Sequence, residues 1–147
     1  MESKLGQSSE LISQGQQIRH QVFVVEQGIS AEDDLDGLDQ TSIHVVLYDC
    51  AKPIATARLT PKTENIAVIS RIAVLPSYRG LKLATPLIQM LVDYAQTHNF
   101  HVIKINAHYY LQPYYEKFGF VYHGEAGKVA QHRLVEMHLH CQIKAGI

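Results

Sequence analysis

The sequence predicts an α/β protein built on a mixed sheet, mostly antiparallel, with one parallel strand pair at its centre and helices flanking it. Three observations carry this. Helix-like and strand-like stretches follow one another as helix, three strands, helix, strand, helix, two strands. Only the step from Ile66 to Asn106 sets a long helical stretch between two strands, the crossover that joins parallel neighbours. The remaining strands can pair antiparallel.

In chain order, residues 10–27 place Leu11, Ile12, Ile18, Val22 and Val25 near helical spacing, which predicts one or two short helices. The acidic stretch SAEDDLDGLD follows as a loop. IHVVLYD and PIATARLT are strands joined by the short turn CAKP, a hairpin signal. NIAVISRIAV is a long apolar strand that stops before Pro76. Leu87, Ile88, Leu91, Val92 and Ala95 mark one face of a helix running from Leu83 to about His98. HVIKIN is the next strand, and LQPYYEKF a short helix with Gly119 as its C-cap. FVYHGE and RLVEMHLH are the last two strands.

The 147 residues predict one domain, 1–147, large enough for a real core. With 46% apolar and 18% charged residues the chain is too apolar for disorder. A formal charge of −1 and scattered basic residues argue against a nucleic-acid partner. MESKLGQSSE lacks a signal peptide's basic start and apolar stretch, and no run approaches a membrane span, so no membrane partner is expected. Cys50 and Cys141 form no CxxC pair, and reduced thiols in the cytoplasm are the simplest reading. In HLHC, His138 and His140 share a strand face, but no further ligand pair stands at metal spacing. No metal is expected.

The junction RGLKLA, residues 79–84, puts two cations, a glycine and no acid where a strand hands over to a helix. A helix's first turn exposes unpaired N–H groups at the positive end of its dipole, which suits a phosphate. Gly80 allows the tight turn, Arg79 and Lys82 add charge, and Ala84 keeps the surface low. Pro86 falls in the first turn, where its missing N–H does least harm. The segment is neither GxxxxGK[ST] nor GxGxxG. On these residues alone, a basic helix start that merely meets solvent competes evenly with an anion site.

RGLKLA resembles the acyl-CoA pyrophosphate loop, Arg/Gln-x-x-Gly-x-Gly/Ala, of the GCN5-related N-acetyltransferases (GNAT). Arg79 and Ala84 fit its first and last positions, while Lys82 stands where the family usually has glycine. YYEKFGF, residues 114–120, resembles the family's later FYEKLGF stretch. RxxVFVxEQ followed by an aspartate-rich loop is similar to the ElaA/YjcF-type branch, over about residues 18–137. Two features depart from that branch: the tail reads QHRLVEM, with His132 displaced, and the family's first strand is poorly marked in MESKLGQ.

The resemblance implies a GNAT fold whose central parallel pair splays apart, the first of its strands often bulged. It implies acetyl-CoA as co-substrate, its pyrophosphate held by Arg79, Gly80, Leu81, Lys82, Leu83, Ala84 and Thr85. Backbone groups of Ile72, Ala73 and Val74 would take the pantetheine arm and polarise the thioester carbonyl. Tyr115 would protonate the departing thiolate. Arg71 either faces the acceptor or is a salt-bridged structural residue. For the base that frees the acceptor amine, Glu26, His108 and His44 are the candidates, and a water chain is the alternative.

Five of the fourteen acids lie between Glu32 and Asp39, either as a solvated loop or as a lure for a cationic amine. An EF-hand is excluded by the spacing of Gly37 and the missing glutamate. The expected function is transfer of an acetyl group to a primary amine, on a small molecule or a peptide. The rivals are a catalytically degenerate acyl-CoA-binding module and a scaffold that only dimerises; a homodimer is compatible with each.

Overall fold

The computed structural model describes residues 1–129 and 131–142. Its strands are β1 (Glu2–Gly6), β2 (Ile43–Asp49), β3 (Lys52–Pro61), β4 (Ile66–Val74), β5 (Val102–His108), β6 (Val121–Val129) and β7 (His132–His140). Its α-helices are α1 (Ser9–Arg19), α2 (Ala31–Asp34), α3 (Ala84–Thr97) and α4 (Gln112–Glu116). The strands make one sheet in the order β1-β2-β3-β4-β5-β7-β6. β4 and β5, joined through α3, are the predicted parallel pair. None of the described helices is long and apolar enough to cross a membrane.

Two compact units share the chain. The first takes Met1–Thr60 and Ile69–Leu91, the second Pro61–Val68 and the residues from Val92 onward. In the first, Ser8 caps α1 by accepting the Leu11 N–H at 3.2 Å. The predicted helix does not stay α-helical. After Arg19 it widens into a π-helix, His20–Glu26. Leu11, Ile18 and Val22 pack with Val46, Tyr48 and Ala73, and Phe23 and Leu75 close around them. The β2–β3 hairpin turns on Cys50 and Ala51, at φ 47° and 70°, as a two-residue turn with two left-handed positions requires. β1, which the sequence marks poorly, pairs antiparallel with β2 from Glu2↔Tyr48 to Gly6↔His44.

The acidic segment corrects both sequence expectations. It is neither a freely solvated loop nor a spare negative patch, because three of its five acids are paired with internal guanidinium groups. Asp39, 6% exposed, accepts from Arg19 Nη1 at 2.7 Å and Arg58 Nη1 at 3.0 Å through one oxygen, and from Gln16 at 2.9 Å through the other. Asp34 faces Arg19 Nε at 3.0 Å and Arg71 Nε at 3.2 Å. Asp36 takes both terminal nitrogens of Arg58, at 2.9 and 2.8 Å, and Arg71 Nη2 at 3.3 Å. Arg71 is thus a salt-bridged residue in this structure.

Arg71 also bends β4. Ser70 accepts from Arg58 Nε at 3.3 Å, and the next side chain, Arg71, reaches Asp36 of the same cluster. Consecutive strand residues ordinarily point to opposite faces. Here the left-handed backbone of Arg71, φ 56°, turns both toward the cluster, which is the geometry of a bulge.

In the second unit, β5 and β7 pair antiparallel with Ile103↔Leu139, Ile105↔Met137 and Ala107↔Val135 in register, all six buried. The alternate residues, Lys104, Asn106 and His108 on β5 with Leu134, Glu136 and His138 on β7, share the other face. The predicted helix LQPYYEKF is shorter than expected: a 3₁₀ turn, Tyr109–Leu111, leads into α4. β6 is the sheet's edge strand, and its register against β7 shifts twice.

Arg58 hydrogen-bonding, against a smaller opposing effect of burial, holds the Asp36 carboxyl down at about 2. Burial alone would raise Asp39, but hydrogen bonds from Arg19, Gln16 and Arg58 prevail and keep it well below the usual carboxylate range. A carboxylate with a depressed folded pKa contributes stability above its unfolded value and loses it as pH falls toward the folded one. Urea unfolding should therefore show a first loss of stability below about pH 6.5, where the unfolded chain protonates the equivalents of His44 and His108, both lowered by burial, and a further fall between about pH 4 and 2 as Asp36 and Asp39 take up protons. Asp36→Asn should flatten that part of the profile. Asp39→Ala removes the carboxylate shared by two buried guanidinium groups, each of which keeps a second aspartate, and should cost about 1–3 kcal/mol at pH 7.

Candidate active site

β4 ends at Val74, and Pro76–Tyr78 form a 3₁₀ turn whose Tyr78 hydroxyl donates to Asp49 at 2.7 Å. Arg79 Nε donates back to the Val74 carbonyl at 3.1 Å, closing the turn against the strand it left. Gly80 and Lys82 then both adopt left-handed backbone, φ 85° and 57°, before α3 starts at Ala84. Left-handed residues set in a turn aim successive N–H groups into one concavity, which is an anion cradle. A side chain built at Gly80 would meet nothing within 4 Å, so the approach is open. Leu81, Lys82, Thr85 and Pro86 are exposed, while Leu87 and Ile88 of the next turn are buried. A large anion such as a pyrophosphate fits these residues. Lys82 occupies a left-handed position that glycine would take without strain.

The structure brings two predicted site residues together in an unpredicted way. Glu26, at the end of the π-helix, receives both terminal nitrogens of Arg79, one at 2.7 Å. The carboxylate's pKa is lowered by those hydrogen bonds, which makes Glu26 a weaker proton acceptor. Residues 53 apart in sequence meet here, and no local pattern could have announced it. Of the predicted pantetheine residues, Ala73 is buried and Ile72 and Val74 are half-buried, directly after the Arg71 bulge.

In the second unit, Tyr115 sits on α4, 6% exposed, with Tyr114, Phe118 and Phe120 around its ring. Burial pushes its phenol far above the ordinary value, so the proton stays on. His108 ends β5. Its Nδ1 is buried with no hydrogen-bond partner among the described residues, and its ring packs on Tyr110 and His132. Burial, then the neighbouring His132, lowers its pKa, which keeps the imidazole neutral. His44 is 1% exposed with Nε2 at 2.8 Å from the Asp39 carbonyl, a structural position closed to an acceptor.

A mixed sheet of this order, with a phosphate-type loop between β4 and the crossover helix, defines the fold class of the acyl-CoA N-acyltransferases. The profile of the acetyltransferase (GNAT) domain matches residues 13–141, and the chain belongs to this family of acetyltransferases. It is 29% identical over 120 residues to the N-acetyltransferase YjcF of Bacillus subtilis, covering 82% of this chain and 85% of that one. The crystal structure of an N-acetyltransferase from Lactobacillus plantarum superposes with a TM-score of 0.85 at 26% identity, covering 96% and 98% of the two chains. Escherichia coli ElaA superposes with 0.83 at 25% identity, covering 95% and 99%. The resemblance to this branch, drawn from RxxVFVxEQ and the aspartate-rich loop, holds at both levels.

A non-glycine residue in left-handed conformation carries about 1–2 kcal/mol of strain, part of which glycine returns as unfolded-state entropy. Lys82→Gly should raise stability by up to about 1 kcal/mol in urea titration, whereas Lys82→Ala, equally strained, should not.

Proposed function

We propose that this acetyltransferase takes acetyl-CoA as donor and transfers its acetyl group to a primary amine by direct attack in a ternary complex. The observation that carries the proposal is the loop 79–85, where two cations and two left-handed residues precede α3. In this reading Arg79, Lys82 and the backbone from Gly80 to Thr85 bind the pyrophosphate. The backbone of Ile72, Ala73 and Val74 orients the pantetheine arm and polarises the thioester carbonyl, a role the Arg71 bulge supports by interrupting the strand just before them. The coenzyme supplies the acetyl group as an activated thioester.

The protons are moved by the chain's own groups. Tyr115 Oη, kept protonated by burial, donates to the departing sulfur. His108 Nδ1, unprotonated and unpartnered, accepts the proton that the acceptor ammonium loses. Glu26, as counterion of Arg79, positions the loop and yields the guanidinium to the incoming phosphates. Residues 13–141, which run through both units, act together as one acetyltransferase domain. The acceptor is a small-molecule or peptide amine. Free Cys50 and Cys141 accord with a cytoplasmic setting, where acetyl-CoA is available.

Calorimetry with acetyl-CoA tests the loop. Arg79→Glu and Lys82→Glu should each weaken binding by at least about 10-fold, the worth of one charge-assisted contact to phosphate. Undiminished binding in both variants would remove the loop assignment. In a thiol-release assay over a panel of amines, Tyr115→Phe should lower kcat by about 100-fold with acetyl-CoA affinity kept. The parent should hold its activity to below pH 6.5, because a base with a lowered pKa stays unprotonated there, and His108→Gln should abolish that acid limb. Glu26→Gln should bind acetyl-CoA at least as tightly as the parent; a collapse of kcat instead would make Glu26 the base.

A further inference from the structure

The polar face of the β5–β7 pair holds a group of side chains that acetyl transfer does not use. Glu136 and His138 alternate along β7 on that face, and His138 Nε2 lies 2.6 Å from Glu136 Oε2. On β6 the partners run Val121↔His138, Tyr122↔Met137 and Gly124↔Glu136, so His123 is an extra residue in a bulge. Its imidazole stacks on that of His138, with centroids 3.9 Å apart and planes 19° from parallel. The ligand atoms of His123, Glu136 and His138 lie within 4.8 Å of one another. The sequence reading looked along one strand, to His140 and Cys141, and so missed the ligand that arrives across the ladder.

We propose that His123, Glu136 and His138 form a binding site for a divalent cation of the zinc class, held between β6 and β7. Two imidazoles and one carboxylate are a donor set that suits zinc with its fourth position open, and imidazole disfavours magnesium and calcium. Bonds of about 2.0–2.1 Å to a tetrahedral ion place the ligand atoms about 3.4 Å apart. Small side-chain rotations supply the needed closure, since His123 is exposed and the other two are half-buried. The cation takes the place of the proton between His138 and Glu136. Lys104, paired in register with His138, contributes an opposing positive charge, so the site binds the ion reversibly rather than as a permanent part of the fold. Binding ties a bulged edge strand, whose ladder is interrupted at this position, to β7.

The whole chain, stripped with a chelator, is titrated with Zn²⁺ against a chromophoric competitor, and Co²⁺ is used to read the ligand field. One equivalent should bind, giving the intense visible absorption of a four- or five-coordinate cobalt site, and Zn²⁺ should raise the melting temperature. His123→Gln, Glu136→Gln and His138→Gln should each weaken binding by at least about 10-fold, the cost already typical of losing one outer-shell partner. His140→Gln and His101→Gln, exposed histidines outside the group, should bind as the parent does. Equal binding by the parent and His123→Gln would overturn the site, as would loss spread evenly over all five variants. Should His138→Gln fail to fold, His123→Gln decides alone, since its side chain leaves no space in the core.

Discussion

Three guanidinium groups and three carboxylates organise the first unit, with Arg19, Arg58, Asp34 and Asp39 buried at its centre. Arg19 comes from the end of α1, Arg58 from β3 and Arg71 from β4, while Asp34, Asp36 and Asp39 all come from one connecting segment. A charge taken out of water is tolerated only when paired and hydrogen-bonded, so each arginine dictates where an aspartate must be. The segment between the π-helix and β2 therefore has a fixed course despite its lack of long secondary structure. The point where α1 widens into the π-helix is Arg19's own neighbour, and the π-helix ends on Glu26. Arg71's bulge has the same origin: the strand surrenders its alternation so that the guanidinium can reach Asp34 and Asp36.

Much of this fold was legible because it rests on local pattern. The hairpin signal between IHVVLYD and PIATARLT, the apolar stripe of α3 and the single long crossover gave the strands, the helix and the parallel pair. β1 was not legible, since Glu2, Ser3 and Lys4 are exposed and nothing obliges them to alternate. The π-helix escaped for another reason: over seven residues its period differs too little from that of an α-helix to leave a distinct stripe. The acids were read as solvated or substrate-facing because their partners are 15 to 37 residues away.

The site divides in the same manner. The phosphate-type loop is a contiguous motif, and Lys82 could be flagged from the sequence as a residue in glycine's place; the structure shows that it takes glycine's conformation all the same. The pairing of Glu26 with Arg79 and the isolation of His108 Nδ1 depend on tertiary contact, so spacing said nothing of them. His123 joins Glu136 and His138 only through a register shift, and a shift of that kind leaves no mark on hydrophobic periodicity.

The chain passes between its two units at Thr60, at Val68 and again within α3 at Leu91, so neither unit is a contiguous piece. This sets an order of assembly during synthesis. Once Leu91 has cleared the ribosome the first unit holds all its residues, including the charge network and the loop after β4. Pro61–Val68 must then wait, already made, for β5 and β7 to be translated. A nascent chain halted between these points holds an apolar strand end, Ile66 to Val68, without its later partners, a species exposed to aggregation and to chaperone capture.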